Sequence, residues 1–128
     1  ADGTAAAVAG MLPRGGDPRA FLSILVVTSF LAPLAEEIFF RGFLLATLTR
    51  WLPVPGAVAA SAACFAAAHG SVHDGAQLAA LGAVLGLAYV KTKNLWTPVL
   101  IHAAWNTAVL VAIQTLISQG QDIQDILS

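Results

Sequence analysis

The stretch of sequence that decides the fold is residues 20–51, which read AFLSILVVTSFLAPLAEEIFFRGFLLATLTRW. It is apolar over most of its length, but Glu36, Glu37 and Arg41 interrupt it. Ionisable side chains are costly at bilayer depth and persist there mainly where they are paired and take part in function. The stretch therefore predicts a membrane helix that carries a polar site.

Composition indicates that lipid is a better solvent than water for most of this chain. Of the 128 residues, 58% are hydrophobic and only 10% are charged, whereas about a quarter of the residues in a soluble domain are charged. A spanning helix needs roughly 20 mostly apolar residues. The sequence shows no strand-like alternation, and uncharged runs cover residues 20–35, 51–73, 75–90 and 94–121. It therefore predicts an all-α, polytopic transmembrane helix bundle with about four membrane helices.

The predicted organisation is a single domain with short flanks. Residues 1–18 are expected to form a flexible or truncated N-terminal segment, in which residues 5–12 are the stub of a preceding helix. Residues 19–117 are the membrane core, and residues 118–128 are a polar tail. Proline, glycine and polar turns divide the core into four helical segments, at about 19–52, 54–68, 77–90 and 95–117.

Proline and glycine positions inside the segments predict two local features. Pro33 lies within the first segment, where it should kink the helix and free a backbone carbonyl group, because proline has no N–H to donate. Gly82 and Gly86 lie four residues apart on the third segment. Their spacing predicts a face on which another helix packs closely.

Charge and cysteine content exclude several classes of protein. The net charge is −1 and the sequence has no cluster of lysine and arginine, so nothing indicates a nucleic-acid partner. The single cysteine, Cys64, cannot form an intramolecular disulfide and is expected to be a small packing residue. No cysteine spacing of the kind that binds zinc is present.

Polar residues at helical spacing interrupt the apolar runs on three segments. Glu37 and Arg41 lie four apart, so they share a helix face and are predicted to pair. Glu36 projects about 100° away from Glu37 and needs another partner. These groups form either a packing network that fixes helix register or one polar cavity. Two histidines and a glutamate on separate segments favour the cavity, and the whole set is Glu36, Glu37, Arg41, His69, His102 and Asn106.

The remaining histidine and the tryptophans are assigned simpler roles. His73 lies beside Asp74 in a predicted loop, where it is expected to be solvated. Trp51 and Trp96 lie at segment ends, as is typical of anchors at the membrane interface. Trp105 is expected to pack near the polar site.

The residue types of the site point to hydrolysis. A carboxylate oriented by an imidazole can act as the general base that activates a water molecule. A histidine with an asparagine can donate hydrogen bonds to a developing oxyanion. Alternatively, Glu36, His69 and His102 provide nitrogen and oxygen ligands for zinc, which also activates water.

Three motifs occur in order on three segments: Glu36-Glu37-x-x-x-Arg41 followed by Gly42, then Phe65-x-x-x-His69, then His102-x-x-x-Asn106. Together with residues 94–102, which read NLWTPVLIH, they resemble the type II CAAX prenyl endopeptidase and bacteriocin-processing (CPBP, Abi-like) family of intramembrane proteases. The resemblance covers roughly residues 19–117. Because members of that family usually have more membrane helices, the chain is similar to their catalytic C-terminal half.

The resemblance implies a role for each polar residue. Glu36 and His69 are expected to activate the attacking water, while His102 and Asn106 stabilise the oxyanion. Glu37 and Arg41 are expected to pair and hold Glu36 in place. Members of the family have been described both as zinc enzymes and as metal-free glutamate proteases. An asparagine is a poor zinc ligand, which favours the metal-free mechanism and no cofactor.

Two further stretches of sequence bear on the location and partners of the protein. The stretch FLAPL at residues 30–34 and the tail SQGQDI at residues 118–123 look similar to cyanobacterial and plastid members, which implies a thylakoid or plastid envelope. Besides the bilayer, the expected partner is a peptide or membrane-protein substrate. Some plastid members stabilise membrane partners without cutting them, so a non-catalytic scaffold in a larger complex is the alternative function. An ion or proton pathway would require further titratable groups along one route.

Overall fold

The computed structural model describes residues 3–12 and 17–120, and every regular element within these ranges is a helix. The predicted all-α fold is therefore confirmed for this part of the chain. The helices in chain order are α1 Thr4–Met11, α2 Pro18–Leu48, α3 Val54–Ala68, α4 Gly75–Thr92 and α5 Trp96–Ser118.

Three of these helices, α2, α4 and α5, are long and apolar enough to cross a membrane. The helix α3 is also apolar but has only 15 residues, which is shorter than the roughly 20 that a perpendicular crossing needs. The chain thus has the four apolar helices that the sequence predicts, one of them short. Trp51 and Trp96 lie at helix ends and expose 81% and 56% of their surface, as expected of interfacial residues.

The helix α2 begins at a capped N-terminus and continues past a proline. A side-chain oxygen of Asp17 accepts a hydrogen bond from the backbone N–H of Arg19 at 2.9 Å, and Pro18 occupies the first helical position. Two stretches of α2 have the wider π-helical turn, Val27–Leu31 and Ile38–Leu45. Such turns are rare and frequently lie at functional sites.

Glycines on α4 allow it to approach α3 closely. A Cβ atom at Gly82 would lie 3.1 Å from Cα of Ala62 and 3.2 Å from the ring of Phe65. At Gly86 it would lie 3.3 Å from a methyl group of Val58. The two glycines therefore form the contact face that their spacing predicts.

The short helix α1 packs against the C-terminal half of α5. Ala9 and Leu12 are buried with Leu110 and Ile113, and partly buried side chains of α2 complete this cluster. The sequence predicted a flexible lead-in here with a helix stub at residues 5–12, and the structure has a helix at that place. Most of the predicted polar tail, residues 121–128, lies outside the described residues.

Candidate active site

Side chains from α1, α2, α4 and α5, and from the segment between α3 and α4, surround one cavity of about 320 Å³. Glu36 comes from the middle of α2, between its two π-helical stretches, and His69 follows directly after the last residue of α3. His102 and Asn106 come from successive turns of α5. The structure therefore brings together the four residues that the sequence predicts to be catalytic.

A fully buried charge pair lies beside the cavity. Glu37 and Arg41 have no exposed side-chain surface, and Nη1 of Arg41 lies 3.1 Å from Oε1 of Glu37. The other end of the guanidinium, Nη2, donates a hydrogen bond to the carbonyl oxygen of Gly82 at 2.7 Å. Buried charges are tolerated when they are paired and hydrogen-bonded. Arg41 therefore links α2 to α4 at the level of the site.

Glu37 also orients the imidazole of His102. Its Oε1 lies 2.7 Å from Nδ1 of His102, which is 2% exposed. A carboxylate paired with arginine can only accept, so Nδ1 carries the proton of this hydrogen bond. In the neutral ring Nε2 then has a free lone pair, and this atom lies 3.4 Å from Oε2 of Glu36.

The imidazole of His69 is held in the same tautomer by its own helix. Its Nδ1 lies 2.7 Å from the carbonyl oxygen of Phe65, one turn earlier, and a carbonyl oxygen can only accept. Nε2 of His69 therefore faces Oε1 of Glu36, at 3.9 Å, which is too long for a direct hydrogen bond.

The carboxylate of Glu36 thus lies between two imidazole Nε2 atoms. With both Nδ1 atoms protonated, neutral rings would present only lone pairs to a carboxylate that also only accepts. A proton on Glu36, His69 or His102, or a water molecule that donates hydrogen bonds to them, removes this repulsion. Glu36 is 32% exposed and His69 is 20% exposed, so this carboxylate can be reached from the cavity while Glu37 cannot.

Phe65 forms the apolar support beneath these groups. It is completely buried, and its ring centre lies 4.6 Å from that of His69 and 5.6 Å from that of His102. The guanidinium carbon of Arg41 lies 4.7 Å from the centre of the same ring, within the range of a cation–π contact. Phe65 therefore contacts Arg41 of α2, His69 at the end of α3 and His102 of α5.

Asn106 is anchored to α2. Its Nδ2 donates a hydrogen bond to the backbone carbonyl oxygen of Thr28 at 2.8 Å. An asparagine amide has two N–H groups, so one further donor remains beside the cavity.

The predicted zinc set does not have the arrangement of a metal site. The residue types of Glu36, His69 and His102 suit zinc, and both histidines donate Nδ1–H to an oxygen, as zinc ligands usually do. However, in the part of the chain that the structure describes, no group of three or more His, Cys, Asp or Glu side chains is placed to hold a metal ion.

The other predicted residues lie at the edge of the site. The side chain of His73 is 73% exposed and contacts Asp74 at 3.0 Å, so it is a solvated loop residue as the sequence predicts. Trp105 lines the cavity. Asp74 and Gln77 also line it, although the sequence did not single them out as site residues.

Sequence reasoning also missed three backbone groups, the carbonyls of Thr28, Phe65 and Gly82, which accept hydrogen bonds from Asn106, His69 and Arg41. The Phe65 carbonyl could have been found from the four-residue spacing to His69. The other two depend on contacts between helices that are distant in sequence, and no pattern of side chains reveals them.

Comparison with known proteins identifies the family. The family model for type II CAAX prenyl endopeptidases of the Rce1-like group matches residues 18–108. The chain is also similar to a Bacillus subtilis (strain 168) protein named "Putative membrane peptidase YdiL", with 27% identity over 88 residues. That match covers 69% of this chain and 36% of the relative, so the chain spans about a third of the relative's length. A comparison with solved structures found no significant match. The chain belongs to the Rce1-like family of type II CAAX prenyl endopeptidases.

Proposed function

We propose that this chain is the catalytic core of an intramembrane endopeptidase that hydrolyses a peptide bond in a membrane-associated or C-terminal peptide substrate. The observation that carries the proposal is the position of Glu36, whose two carboxylate oxygens face Nε2 of His69 and Nε2 of His102. Family membership and the apolar helices support a hydrolase that works inside the membrane.

Glu36 acts as the general base in this mechanism. A water molecule between Glu36 and His69 gives a proton to the carboxylate as its oxygen attacks the carbonyl carbon of the scissile peptide bond. The hydrogen bond from Nδ1 of His69 to Phe65 fixes the ring so that Nε2 points towards this water. No metal takes part in the step.

Asn106 and His102 stabilise the oxyanion that this attack creates. The second N–H of the Asn106 amide is one donor, and Nε2–H of a protonated His102 is the other. The carboxylate of Glu37, 2.7 Å from Nδ1, stabilises the positive charge on that ring. When the C–N bond breaks, Glu36 returns its proton to the leaving amine, so the products are a carboxylic acid and a free amine.

The lining of the cavity indicates what kind of substrate group fits. Its walls are mainly apolar and include Leu78, Leu81, Trp105 and Val109, whereas two polar lining residues, His69 and His102, lie beside Glu36. An apolar side chain or lipid chain next to the scissile bond would contact these walls. We therefore propose a membrane-embedded peptide as the substrate and the bilayer as its route of access. A thylakoid or plastid envelope location stays a prediction.

The test compares two carboxylates that line the same cavity. Membranes are prepared from cells that lack the protein and from cells that express the wild type, Glu36→Gln or Asp74→Asn at equal levels, and new peptide termini are quantified by mass spectrometry. We expect new termini with the wild type and Asp74→Asn, and none with Glu36→Gln.

The scaffold function gives a different result in the same experiment. Under that function, no new termini appear with the wild type, and membrane partners are lost only when the whole protein is absent. Glu36→Gln would then keep those partners at wild-type levels, and the endopeptidase proposal would be wrong.

A further inference from the structure

We propose that Pro33 is a positioning residue for Asn106. By lacking a backbone N–H, it leaves the carbonyl of Thr28 free to bind the side-chain amide of Asn106. The effect on catalysis rests on the proposed function, but the hydrogen bond itself does not.

The helical register at this point shows why Thr28 has a free carbonyl. An α-helical hydrogen bond to this oxygen would come from the N–H of residue 32, and a π-helical one from the N–H of residue 33. The N–H of Ala32 instead donates to the carbonyl of Val27, five residues back. The next donor in that register would be residue 33, which is proline and has none.

Asn106 supplies the missing donor. Its Nδ2 lies 2.8 Å from the Thr28 oxygen, across 78 positions of sequence. The hydroxyl of Thr28 does not compete, because Oγ1 donates to the carbonyl of Ile24 at 2.7 Å. A carbonyl that would be an unsatisfied acceptor in the membrane is thus satisfied by the side chain of another helix.

This bond fixes the direction of the remaining amide donor. The terminal torsion of asparagine is broad, so a free amide would sample many orientations. With one N–H held by Thr28, the second has a defined direction beside the cavity that Thr28, Ala32, Glu36 and Asn106 all line. Pro33 itself is fully buried, so it acts through this bond and not by contact with a substrate.

The first experiment measures the bond directly in the wild-type protein. The chain contains two asparagines, Asn94 and Asn106, so ¹⁵N-labelling of asparagine side chains gives two pairs of N–H signals in lipid nanodiscs, one pair for each amide. Asn94 is exposed and serves as the internal reference. We expect one Asn106 proton to exchange with water at least about tenfold more slowly than its geminal partner and than both protons of Asn94.

The second experiment restores the missing N–H. In Pro33→Ala, the new backbone donor competes for the Thr28 carbonyl, and we expect the slow Asn106 proton to exchange as fast as its partner. The matched control is Pro98→Ala, which changes another fully buried proline that lies in the first turn of α5, where no such bond to Thr28 is involved. It should leave the Asn106 signals unchanged.

Turnover of a synthetic peptide that spans a cleavage site mapped by the new termini is measured on the same samples. We expect Pro33→Ala to lower kcat by about 10- to 100-fold with little change in KM. The misdirected amide would no longer stabilise the transition state, whereas binding of the substrate would be little affected. Pro98→Ala should keep kcat within about threefold of the wild type.

The outcomes separate this inference from the proposed function. Equal exchange of both Asn106 protons in the wild type, or an unchanged slow proton in Pro33→Ala, would overturn the role of Pro33. Where Pro33→Ala does not fold, equal exchange of the two Asn106 protons in the wild type still overturns the inference, because Pro33 then has no bond from Asn106 to Thr28 to permit. If the amide signals change as expected while the wild type cleaves no substrate, Pro33 positions Asn106 and only the endopeptidase function is wrong.

Discussion

Oε1 of Glu37 accepts hydrogen bonds from two sources at once, Nη1 of Arg41 on its own helix and Nδ1 of His102 on the last helix. The neighbouring residue, Glu36, faces the cavity and lies between the two histidines. Adjacent glutamates in the sequence therefore lie in different surroundings: Glu37 is buried and paired, whereas Glu36 is partly exposed to the cavity.

This division predicts that the same substitution destabilises the protein at Glu37 and has little effect on stability at Glu36. Glu37→Gln leaves the guanidinium of Arg41 buried without a counter-charge, and we expect it to lower the free energy of unfolding by about 3–5 kcal/mol. Glu36→Gln should leave stability within about 1 kcal/mol, because its carboxylate is partly exposed and lies outside the direct ion pair of Glu37 with Arg41. Unfolding of the reconstituted variants in mixed detergent micelles measures both changes in the free energy of unfolding. Equal stability of the two variants would contradict the assignment.

The two-ended binding of Arg41 predicts that lysine cannot replace it. Arg41→Lys keeps the positive charge near Glu37 but has no second arm to reach the Gly82 carbonyl. We expect a loss of about 1.5–3 kcal/mol in the free energy of unfolding, the value of a hydrogen bond to a charged group. Arg50→Lys, at an exposed position just beyond α2, is the control and should be close to the wild type. A fully stable Arg41→Lys would show that the bond to Gly82 contributes nothing.

The close contact of α3 and α4 predicts a penalty for a single added methyl group. In Gly82→Ala the new Cβ would lie 3.1 Å from backbone Cα of Ala62, so the helices must move apart. We expect lower thermal stability, even though alanine is intrinsically the better helix former by about 1 kcal/mol. Gly75→Ala, in the same helix with no atom within 4 Å of the new Cβ, should not be destabilised. Thermal unfolding of both variants measures this difference, and equal stability of Gly82→Ala and Gly75→Ala would contradict a tight contact between α3 and α4.

Metal content tests the mechanism independently of any substitution. We predict that purified, active protein keeps its activity after exhaustive chelation and contains no stoichiometric zinc. Elemental analysis alongside an activity assay checks this. About one zinc per chain, with activity lost on chelation and restored by zinc, would make Glu36, His69 and His102 the ligands of a catalytic metal.

The apolar helices predict that the protein cannot be washed from membranes. Alkaline carbonate removes proteins held by surface charge, and we expect this protein to stay in the membrane pellet because α2, α4 and α5 are long enough to span the bilayer. Release into the supernatant would mean that these helices pack in a water-soluble assembly.

The sequence predicted the helices and the partners within them, because those features depend on local spacing. The bounds of α3 and the pairing of Glu37 with Arg41 follow from the positions of prolines and from a four-residue separation. The hydrogen bond from His102 to Glu37 could not be predicted, since it depends on how α5 rotates against α2. The free carbonyl near Pro33 was predicted, but not its partner on α5, nor the π-helical register that places it at Thr28.

The hydrogen bonds of Glu37 have a consequence for how the protein is made. When α2 enters the membrane, Glu37 and Arg41 arrive together and can neutralise each other at once. The Gly82 carbonyl is synthesised 41 residues after Arg41, and His102 comes 65 residues after Glu37. Glu36 cannot contact both His69 and His102 until α5 has inserted into the membrane. The charge pair within α2 can therefore form early, whereas the proposed catalytic site is assembled only after α5 has packed against α2.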